Sequence, residues 1–444
     1  MHPFDLRSVE VLLSNLEFKS IQSECKVVSL SNLNVLYTNA TSLMNKVEEF
    51  KILCALKNPH IIAVTETWFT TSSIANLAGY TLYKRNRNDG RKGVGVAIYV
   101  DNKIISYEIS EEILSCSKIE SIWITIISNK IKYLIGCINR PNEQTDMIEM
   151  NQIFQTANNI VQINNYSDLL ILGDFNFPSI KWSNGFVDDI LSGEESTENQ
   201  FVDIVNEIFL YQHVCIPTFQ QTDFISNNIL DLVFSKSSER VHELESNAIL
   251  GNISHGHLVL TFKLALDDSI EEESPKYKFD YTRSDFHKIT ENMDKIDWNF
   301  MLNNLSVQEM YDVFVEILSK ACNTFVPKIN INLKKKRKNP WFTEEVGNLV
   351  RKKQNLRYMN LACKFKNPAN ITEYKQVCKL VTKQAIKARV DFENNLVEKA
   401  KINPKLLYKY VNSQKKVKQS IKALRNGNGI VTNDPTEITE LLNK

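Results

Sequence analysis

The sequence predicts an α/β fold: a four-layer α/β sandwich, with two packed sheets flanked by helices, followed by a basic and mostly helical region. Apolar, β-branched runs alternate with helix-period segments as far as residue 266 and then stop. Residues 1–265 hold 20 basic and 30 acidic side chains, whereas residues 266–444 hold 33 and 22. With 444 residues, 43% of them hydrophobic, the chain is long enough for two or three domains with their own cores.

The strands are predicted from short apolar runs rich in branched side chains, most of which end in polar residues. Such runs are typical of strands that are buried on at least one face. They cover 33–40, 60–69, 94–100, 121–127, 133–139, 168–176, 229–235 and 256–266. Two segments between them, 43–57 and 152–163, are predicted to be helices, the first with Leu43, Val47, Phe50 and Leu53 at helical spacing.

A domain boundary is predicted where the sequence becomes acidic and poor in apolar residues. We divide the chain into an N-terminal extension (1–28), an α/β domain (29–266), an acidic linker (267–284) and a basic helical region (285–444). The basic region contains predicted helices at 339–367, 372–401 and 404–416, and no further strands are expected there.

The charge of the basic region suggests a polyanionic partner. Between Lys328 and Arg425 there are 26 basic and 6 acidic residues. Such an asymmetry is typical of nucleic-acid contact, and a solvated helical face is the alternative. The eight cysteines show no CxxC spacing, and no apolar run is long enough to span a membrane. These features predict a reduced, intracellular protein without a membrane partner.

Polar side chains of related chemistry follow or precede the predicted strands. Carboxylates and amides without thiolates suit a hard cation such as Mg²⁺, or Mn²⁺, and the set is suited to phosphoester hydrolysis. Each residue alone has a structural alternative: a turn acid, a helix cap or a structural histidine. The joint pattern of strands ending in such groups favours one site. Its members are Asn39, Glu66, Asp174, Asn176, Asp231 and His257.

The ordered motifs resemble a known family. "LYTNATSLMNKVEEF", "PHIIAVTETW", "GVGVAIYV", "GCINRP", "LILGDFNFPSIKW", "LDLVFS" and "SHGHLVLTFKL" resemble the endonuclease/exonuclease/phosphatase superfamily, and more narrowly the endonuclease of LINE-type (non-LTR) retrotransposons. The resemblance covers about residues 33–265. The "PWF" and "NPK" helices resemble the connector to the reverse transcriptase, and we expect the chain to be truncated before a polymerase domain.

The resemblance implies a Mg²⁺-dependent DNA endonuclease that nicks a target duplex, with a nuclear location. Glu66 and Asn39 would hold the metal, and Asp174 would position or deprotonate the attacking water. Asn176 would hydrogen-bond the phosphate or the acid, and Arg140 would shape the pocket rim. His257 would contact the scissile phosphate, with Asp231 orienting its ring. The basic region would bind DNA, or RNA, without sequence preference.

Two positions depart from the family pattern. Asn139 stands where a Tyr usually precedes Arg-Pro, and Gly256 stands where an Asp precedes the histidine. If His255 were the matching histidine, Ser254 would stand there instead, and the strand that directly follows favours His257. The departures predict weakened activity, which restoring Tyr and Asp together should raise. A catalytically inactive nucleic-acid-binding module is the alternative, and a lipid or inositol phosphatase is disfavoured by the basic region.

Overall fold

The computed structural model describes most of residues 31–443. The gaps are 71–72, 74, 86–94, 110, 112, 116–118, 129, 141–146, 191–192, 194–195, 222–223, 226–227, 252–254, 268–276, 331–338, 416–422, 426–430 and 433–434. The predicted N-terminal extension and the basic run 334–338 therefore lie outside the described residues. The chain forms two compact units, one containing residues 27–269 with 336–444 and the other containing residues 270–335.

In the larger unit, strands and helices alternate up to residue 265. The strands are β1 (Asn32–Asn39), β2 (Ile61–Thr65), β3 (Tyr80–Arg85), β4 (Val96–Asp101), β5 (Ile105–Glu108), β6 (Glu120–Ser128), β7 (Ile131–Asn139), β8 (Asp168–Asp174), β9 (Ile180–Ser183), β10 (Phe186–Ile190), β11 (Tyr211–Gln212), β12 (Phe219–Gln221), β13 (Phe224–Ile225), β14 (Asp231–Ser235), β15 (Val241–Asn247), β16 (Gly256–His257) and β17 (Val259–Ala265). The helices are α1 (Val47–Lys57), α2 (Met147–Ile163) and α3 (Thr197–Glu207).

The rest of the described chain is mainly helical. The elements are β18 (Tyr277–Phe279), α4 (Phe286–Asp294), α5 (Trp298–Met301), α6 (Val307–Phe325), β19 (Lys328–Asn330), α7 (Glu344–Ala362), α8 (Pro368–Ile402), α9 (Lys405–Lys415), β20 (Leu424–Arg425), β21 (Val431–Thr432) and α10 (Pro435–Leu442).

Two six-stranded sheets form the centre of the larger unit. Among the described residues their strand orders are β15-β17-β1-β2-β4-β3 and β11-β14-β8-β7-β6-β5. The pairs β1–β2 and β7–β8 are parallel, and the other neighbours in these sheets are antiparallel. Parallel neighbours end at the same edge of a sheet, so the polar residues that follow β1 and β2 emerge together, as do those that follow β7 and β8.

The sheets pack face to face because their strands are apolar on both sides. Along β1, Val35 and Tyr37 belong to the core between the sheets, whereas Leu36 lies in a second core beneath α1. This alternation is the two-residue period of a strand. Helices α2 and α3 add Phe154 and Phe201 to the core on the outer side of the second sheet. The predicted four-layer sandwich is confirmed.

The basic helices α7 and α8 pack on this sandwich rather than standing apart from it. Ile52 of α1 and Ala248 share one apolar cluster with Val350 of α7 and with Val377 and Val381 of α8. The helices α7 and α8 therefore form a hairpin that covers the outer face of α1. Burial of apolar side chains is worth roughly 25 cal/mol per Å², so this contact stabilises the hairpin on the sandwich.

Residues 270–335 form a small unit around Ile289, Leu318 and Cys322. Strands β18 and β19 pair antiparallel in it, and β20 pairs with β21 in the larger unit. The expectation of no strands beyond the linker was therefore wrong. Strands of two or three residues are too short to show the alternating pattern on which the prediction relied. In the part of the chain that the structure describes, no helix is long and apolar enough to cross a membrane.

Candidate active site

Five of the predicted site residues lie together at one edge of the two sheets. Asn39 is the last residue of β1, and Glu66 directly follows the parallel strand β2. Asp174 is the last residue of β8 and is paired in register with Asp231, the first residue of β14. His257 lies in β16, just before the strand that pairs with β1. The strand order thus brings residues more than 200 positions apart into one place.

The side chain of Asn39 joins two carboxylates. Its Nδ2 donates hydrogen bonds to Glu66 Oε1 at 2.8 Å and to Asp174 Oδ2 at 2.8 Å. Its Oδ1 accepts from the backbone N–H of Thr41 at 3.0 Å. The NH₂ group of the amide, rather than its oxygen, therefore faces the carboxylates. Asn39 can act as an oxygen ligand only if its amide turns round.

A buried chain of hydrogen bonds lies behind Asp174. The ring Nδ1 of His257 is 2.8 Å from Asp231 Oδ2, and the hydroxyl of Tyr37 donates to the other Asp231 oxygen at 2.8 Å. Thr65 Oγ1 lies 3.1 Å from the same hydroxyl. His257 Nε2 lies 3.5 Å from Asp174 Oδ2. With both carboxylate oxygens occupied, Asp231 fixes the orientation of the histidine ring, as a carboxylate partner does in acid–base sites.

The pKa values of Asp174 and His257 are both raised. Complete burial raises the pKa of the Asp174 carboxyl, and the negative charges of Asp231 and Glu66 add to this effect. Burial alone would lower the pKa of His257, but Asp231 and Asp174 outweigh it and raise that pKa above its ordinary value. A carboxylate becomes a better proton acceptor when the pKa of its acid form is raised. Groups with shifted pKa values cluster at functional sites.

The turn after β8 holds Asp174 in place. Its Oδ1 accepts from the backbone N–H of Asn176 at 3.1 Å, and the side-chain Nδ2 of Asn176 donates to the carbonyl of Arg140 at 3.1 Å. Arg140 in turn donates from Nη1 to the carbonyls of Phe175 and Asn176, each at 3.2 Å, and its guanidinium lies over Phe177, 4.0 Å from the ring centroid. Asn176 and Arg140 thus brace the turn, and the side-chain hydrogen bonds described for them go to backbone carbonyls rather than to the Asp174 carboxylate.

Gly173, the residue before Asp174, allows β8 to lie close to β7. A Cβ atom built there would come within 1.9 Å of the carbonyl oxygen of Ile138. Any side chain would force the two strands apart, and Asp174 would move with them. The Gly-Asp sequence at the end of this apolar strand thus has a packing reason for its first residue and a chemical one for its second.

Several residues around the site adopt left-handed backbone conformations. Glu66 has a φ of 49° and Asn176 a φ of 51°, and Thr41, Ser42 and Trp68 also have positive φ. A non-glycine residue in a sparsely populated region of this kind costs about 1–3 kcal/mol and persists only where its surroundings hold it. Here the backbone N–H of Ser42 bonds to the carbonyl of Glu66 at 3.0 Å, which ties the turns after β1 and β2 together.

The two departures from the family pattern lie at the same edge. Asn139 Nδ2 donates to Glu120 Oε2 at 3.3 Å, next to the Asp174 row of the sheet. Gly256 is buried with a φ of 145°, a conformation that favours glycine. His255 is exposed, whereas His257 is buried against Asp231. Of the two histidines considered from the sequence, His257 is the one that faces the carboxylates.

The donor set fits a hard divalent cation on the side of Glu66. The oxygens of Glu66 and Asp174, bridged by one amide, are the ligand type that Mg²⁺ and Mn²⁺ prefer. Asp174, Asp231 and His257 also place possible ligand atoms within 4.8 Å of one another. Because His257 Nδ1 and both oxygens of Asp231 already make hydrogen bonds, that second group is better suited to moving a proton than to holding an ion.

Sequence reasoning missed the hydroxyl of Tyr37. In the alternating pattern of "LNVLYTNA", Tyr37 shares a face with Val35 and Asn39, so the pattern places it in the core between the sheets. A buried tyrosine hydroxyl usually has a hydrogen-bond partner. That requirement was a signal for a polar contact at this point, although it could not identify Asp231 as the partner.

Comparison with protein families supports the assignment of the domain. Residues 133–255 match the family model described as endonuclease-reverse transcriptase, a stretch that includes Arg140, Asp174, Asn176 and Asp231. The matched stretch lies within the sandwich and supports its resemblance to the endonuclease/exonuclease/phosphatase superfamily. Within that superfamily, the matched model confirms the resemblance to the endonuclease of LINE-type retrotransposons.

Solved structures of low sequence identity cover about half of the chain. The endonuclease domain of TRAS1, a telomere-specific non-LTR retrotransposon, is 15% identical, with 53% of this chain and 99% of that one covered and a TM-score of 0.40. The 3'-5' exonuclease NExo from Neisseria meningitidis is 14% identical (53% and 100% covered, TM-score 0.38), and the catalytic domain of Xenopus laevis APE2 is 12% identical (53% and 94%, 0.36). The search of curated proteins found no match.

Proposed function

We propose that the chain is a divalent-metal-dependent DNA endonuclease that hydrolyses one phosphodiester bond and nicks a target duplex. The observation that carries the proposal is the position of Asp174. It lies between an oxygen-rich group on one side, Glu66 and Asn39, and the buried His257–Asp231–Tyr37 hydrogen bonds on the other. A proton acceptor placed between a cation site and an oriented histidine is suited to phosphoester hydrolysis.

Each site residue would have a separate role in the reaction. Glu66 would hold Mg²⁺ or Mn²⁺, with Asn39 beside it, and the bound ion supplies positive charge next to the scissile phosphate. Asp174 takes a proton from a water molecule whose oxygen attacks phosphorus, while the bridging oxygen leaves with the cleaved strand. His257 donates a hydrogen bond from Nε2 to a phosphate oxygen, and Asp231 keeps the ring turned toward it. Asn176 and Arg140 hold the turn that carries Asp174.

The basic helices supply a surface for the DNA backbone. Lys375, Lys379, Lys383 and Lys387 are all exposed and recur every four residues along α8, a spacing that places successive lysines on neighbouring parts of one helix side. At 1.5 Å per residue this row extends about 18 Å. The same cations would accept RNA as well as DNA, because phosphate contacts carry no base specificity. A chromosomal DNA substrate implies a nuclear place of action.

The domain organisation is part of the proposal. Residues 29–266 form the nuclease domain, 267–284 the acidic linker and 285–444 the connector region that precedes a polymerase in the family it resembles. A catalytically inactive nucleic-acid-binding module is the second candidate. It is favoured by Asn139, whose amide bonds to Glu120, and by Gly256, which has no side chain to offer.

A plasmid-nicking assay separates the two candidates. The full chain should convert supercoiled plasmid to the open-circular form with Mg²⁺ or Mn²⁺ and should stop when the ion is chelated. Asp174→Asn should lower the rate by about 10²–10⁴, the usual contribution of a positioned acid–base group. Asp188→Asn, which changes an exposed acid of the same domain, serves as the matched control. DNA binding without any nicking by the unaltered chain would favour the inactive module.

A further inference from the structure

One face of helix α7 is bonded to the chain segment that leads to His257. Lys353 Nζ donates to the carbonyl of Gly251 at 2.9 Å, and Gln354 Oε1 accepts from the backbone N–H of Ala248 at 2.9 Å. One turn further on, Arg357 Nη1 donates to the carbonyl of Ser246 at 2.6 Å and Nη2 to the Ser246 hydroxyl at 3.0 Å. Three side chains of the connector region thus contact residues 246–251, and His257 follows Gly251 by six residues.

The two cations in this contact are buried. Lys353 is 0% exposed and Arg357 is 1% exposed. A cation that does not reach the surface cannot bind the phosphate backbone of a nucleic acid. Burying an ion costs several kcal/mol unless it is paired and hydrogen-bonded, so these two positions need partners inside the protein. Their role therefore differs from that of the exposed lysines on α8, although all belong to the same basic stretch of sequence.

Lys353 also connects the His257 segment to the segment that follows Asn39. Its Nζ lies 2.6 Å from Glu49 Oε1, and Glu49 Oε2 accepts from the backbone N–H of Gly251 at 3.0 Å. Glu49 lies in the first turn of α1, which begins after the short turn beyond Asn39. Three hydrogen bonds thus join the Lys353 ammonium, the Glu49 carboxylate and the backbone of Gly251 in a closed ring.

A second lysine extends this contact toward the site. Lys46 Nζ donates to the carbonyl of Ala40, the residue after Asn39. Its side chain lies directly under Gly251, where an added Cβ would meet three of its carbons at 3.0–3.1 Å. The turn after Asn39 and the segment 246–251, which precedes His257 in the chain, are therefore packed together through Lys46 and Gly251, and Lys353 of α7 closes the contact from outside the nuclease domain.

We infer that Lys353 is a positioning residue of the active site, and that helix α7 of the connector region is a working part of the nuclease. By holding Gly251 and Glu49 together, it keeps the His257 segment in register with the turn after Asn39. This inference rests on the proposed nuclease function for its kinetic consequence. Its structural consequence, the placement of His257 against Asp231, holds whether or not the chain cleaves DNA.

The test compares Lys353→Met with Asn355→Met in the full chain. Both changes introduce the same side chain into α7, but Asn355 is exposed. Lys353→Met should lower the kcat of nicking at least tenfold and leave the KM for DNA and its salt dependence within about twofold, because a buried lysine makes no phosphate contact. Asn355→Met should change none of these values. A loss that appears in KM and in the salt dependence would overturn the inference.

Two further measurements do not require activity. The low-field proton signal of the His257–Asp231 hydrogen bond, assigned as the signal lost in His257→Gln, should broaden or disappear in Lys353→Met at constant pH. Amide exchange over residues 246–251 and 255–257 should accelerate at least tenfold. An unchanged signal with unchanged exchange would refute the positioning role, even if the unaltered chain nicks DNA normally. If the unaltered chain does not nick, the proposed function fails while these readouts still decide the positioning role.

A milder variant covers the possibility that Lys353→Met does not fold. Gln354→Leu removes only the acceptor for the Ala248 N–H and leaves the hydrogen bonds of Lys353 and Arg357 in place. It should accelerate amide exchange at residues 246–251 by a smaller factor and lower kcat by a few-fold, again without a change in KM. If Gln354→Leu changed neither quantity, helix α7 would have no influence on this segment and the inference would be wrong.

Discussion

In the sandwich, Asp174, Asp231 and His257 at the strand ends are buried, whereas the lysine row of α8 is exposed along its length. Asp174 and Asp231 each have 0% exposure, and they accept hydrogen bonds from named partners such as Asn39 and His257. Lys375, Lys379 and Lys383 lie at the surface, where the medium screens their charge. Burial, rather than the number of charges, separates the groups to which we assign chemistry from those to which we assign the binding of a polyanion.

The basic region contains both kinds of charge. Lys353 and Arg357 of α7 are as deeply buried as the site acids, although they lie within a stretch whose composition suggests a solvated, DNA-binding surface. A count of charges therefore overstates the cations available to phosphate. The comparison between buried and exposed charges can be tested at three levels.

The largest effect is expected from the exposed lysines. Changing Lys375, Lys379, Lys383 and Lys387 together to Gln should weaken duplex binding about 10²-fold in low salt and lower the slope of log K against log salt by up to about 3.6, since each phosphate contact contributes about 0.9. Titration of labelled duplex DNA at several salt concentrations measures both quantities.

The matched control for the lysine row uses exposed lysines from another part of the chain. Lys288, Lys295 and Lys320 are exposed and pair with Asp285, Glu291 and Glu316 in residues 270–335. Changing these three to Gln should leave the slope unchanged. If both sets of changes lowered it equally, general positive charge rather than the α8 row would hold the DNA.

A smaller effect is expected from the buried hydroxyl of Tyr37. Tyr37→Phe leaves one Asp231 oxygen without its donor, which costs about 1–3 kcal/mol for a buried group. Because Asp231 then orients His257 less firmly, the nicking rate at saturating DNA should fall about tenfold, the lower end of the range for groups that orient a ligand residue. Urea unfolding and nicking kinetics give the two values.

Tyr408→Phe is the control for this change, because Tyr408 is 69% exposed. It should alter neither the urea midpoint nor the rate. Nicking by Tyr37→Phe at the full rate would show that Asp231 holds the histidine without help from the tyrosine.

The smallest effect is expected from His213, a half-buried histidine outside the site. Burial, with His242 adding to it, lowers the pKa of His213 to about 4, whereas an unfolded histidine titrates near 6.5. The unfolded state therefore binds the proton more readily, and the stability from neutral His213 is present above pH 6.5 and is lost as the pH falls toward 4. Between pH 7 and pH 5 this amounts to about 1–2 kcal/mol.

Urea midpoints of the unaltered chain and of His213→Gln at pH 7 and pH 5 test the histidine effect. The decrease in stability on acidification should be smaller in His213→Gln, which cannot titrate. His287→Gln, at an exposed position, should behave like the unaltered chain. Equal acid sensitivity of all three proteins would contradict the assignment of a neutral, half-buried His213.

Much of the site edge could be predicted because the end of a buried strand is visible in the sequence as the point where an apolar run gives way to polar residues. Asn39, Glu66 and Asp174 follow apolar runs, and parallel neighbours place such ends together. What the sequence could not predict is the direction of a side chain. The amide NH₂ of Asn39 faces the two carboxylates, and the side chain of Asn176 bonds to the Arg140 carbonyl, because hydrogen-bond partners depend on turn geometry that residue type does not encode.

The backbone conformation of Gly256 also lowers the gain in nicking rate that we expect from restoring an Asp at that position. Restoring Asp at position 256 together with Tyr at position 139 was expected to raise the rate of nicking. Gly256 has a φ of 145°, so any side chain there carries backbone strain that no family pattern reveals. The buried state of Lys353 was equally hidden, since a lysine inside a basic run gives no sign of its burial until the helices are packed.

The larger unit is assembled from two stretches of chain that are not adjacent in sequence, and this has a consequence for synthesis. Ile52 and Ala248 emerge from the ribosome long before Val350 and Val381, which cover them. At about 5–20 residues per second, the roughly 120 residues between the last sandwich strand and the middle of α8 take on the order of 10 seconds to appear. During that interval the apolar side chains on the outer face of α1 remain exposed to solvent. We therefore expect a nascent chain of this design to expose one defined apolar surface for one defined period.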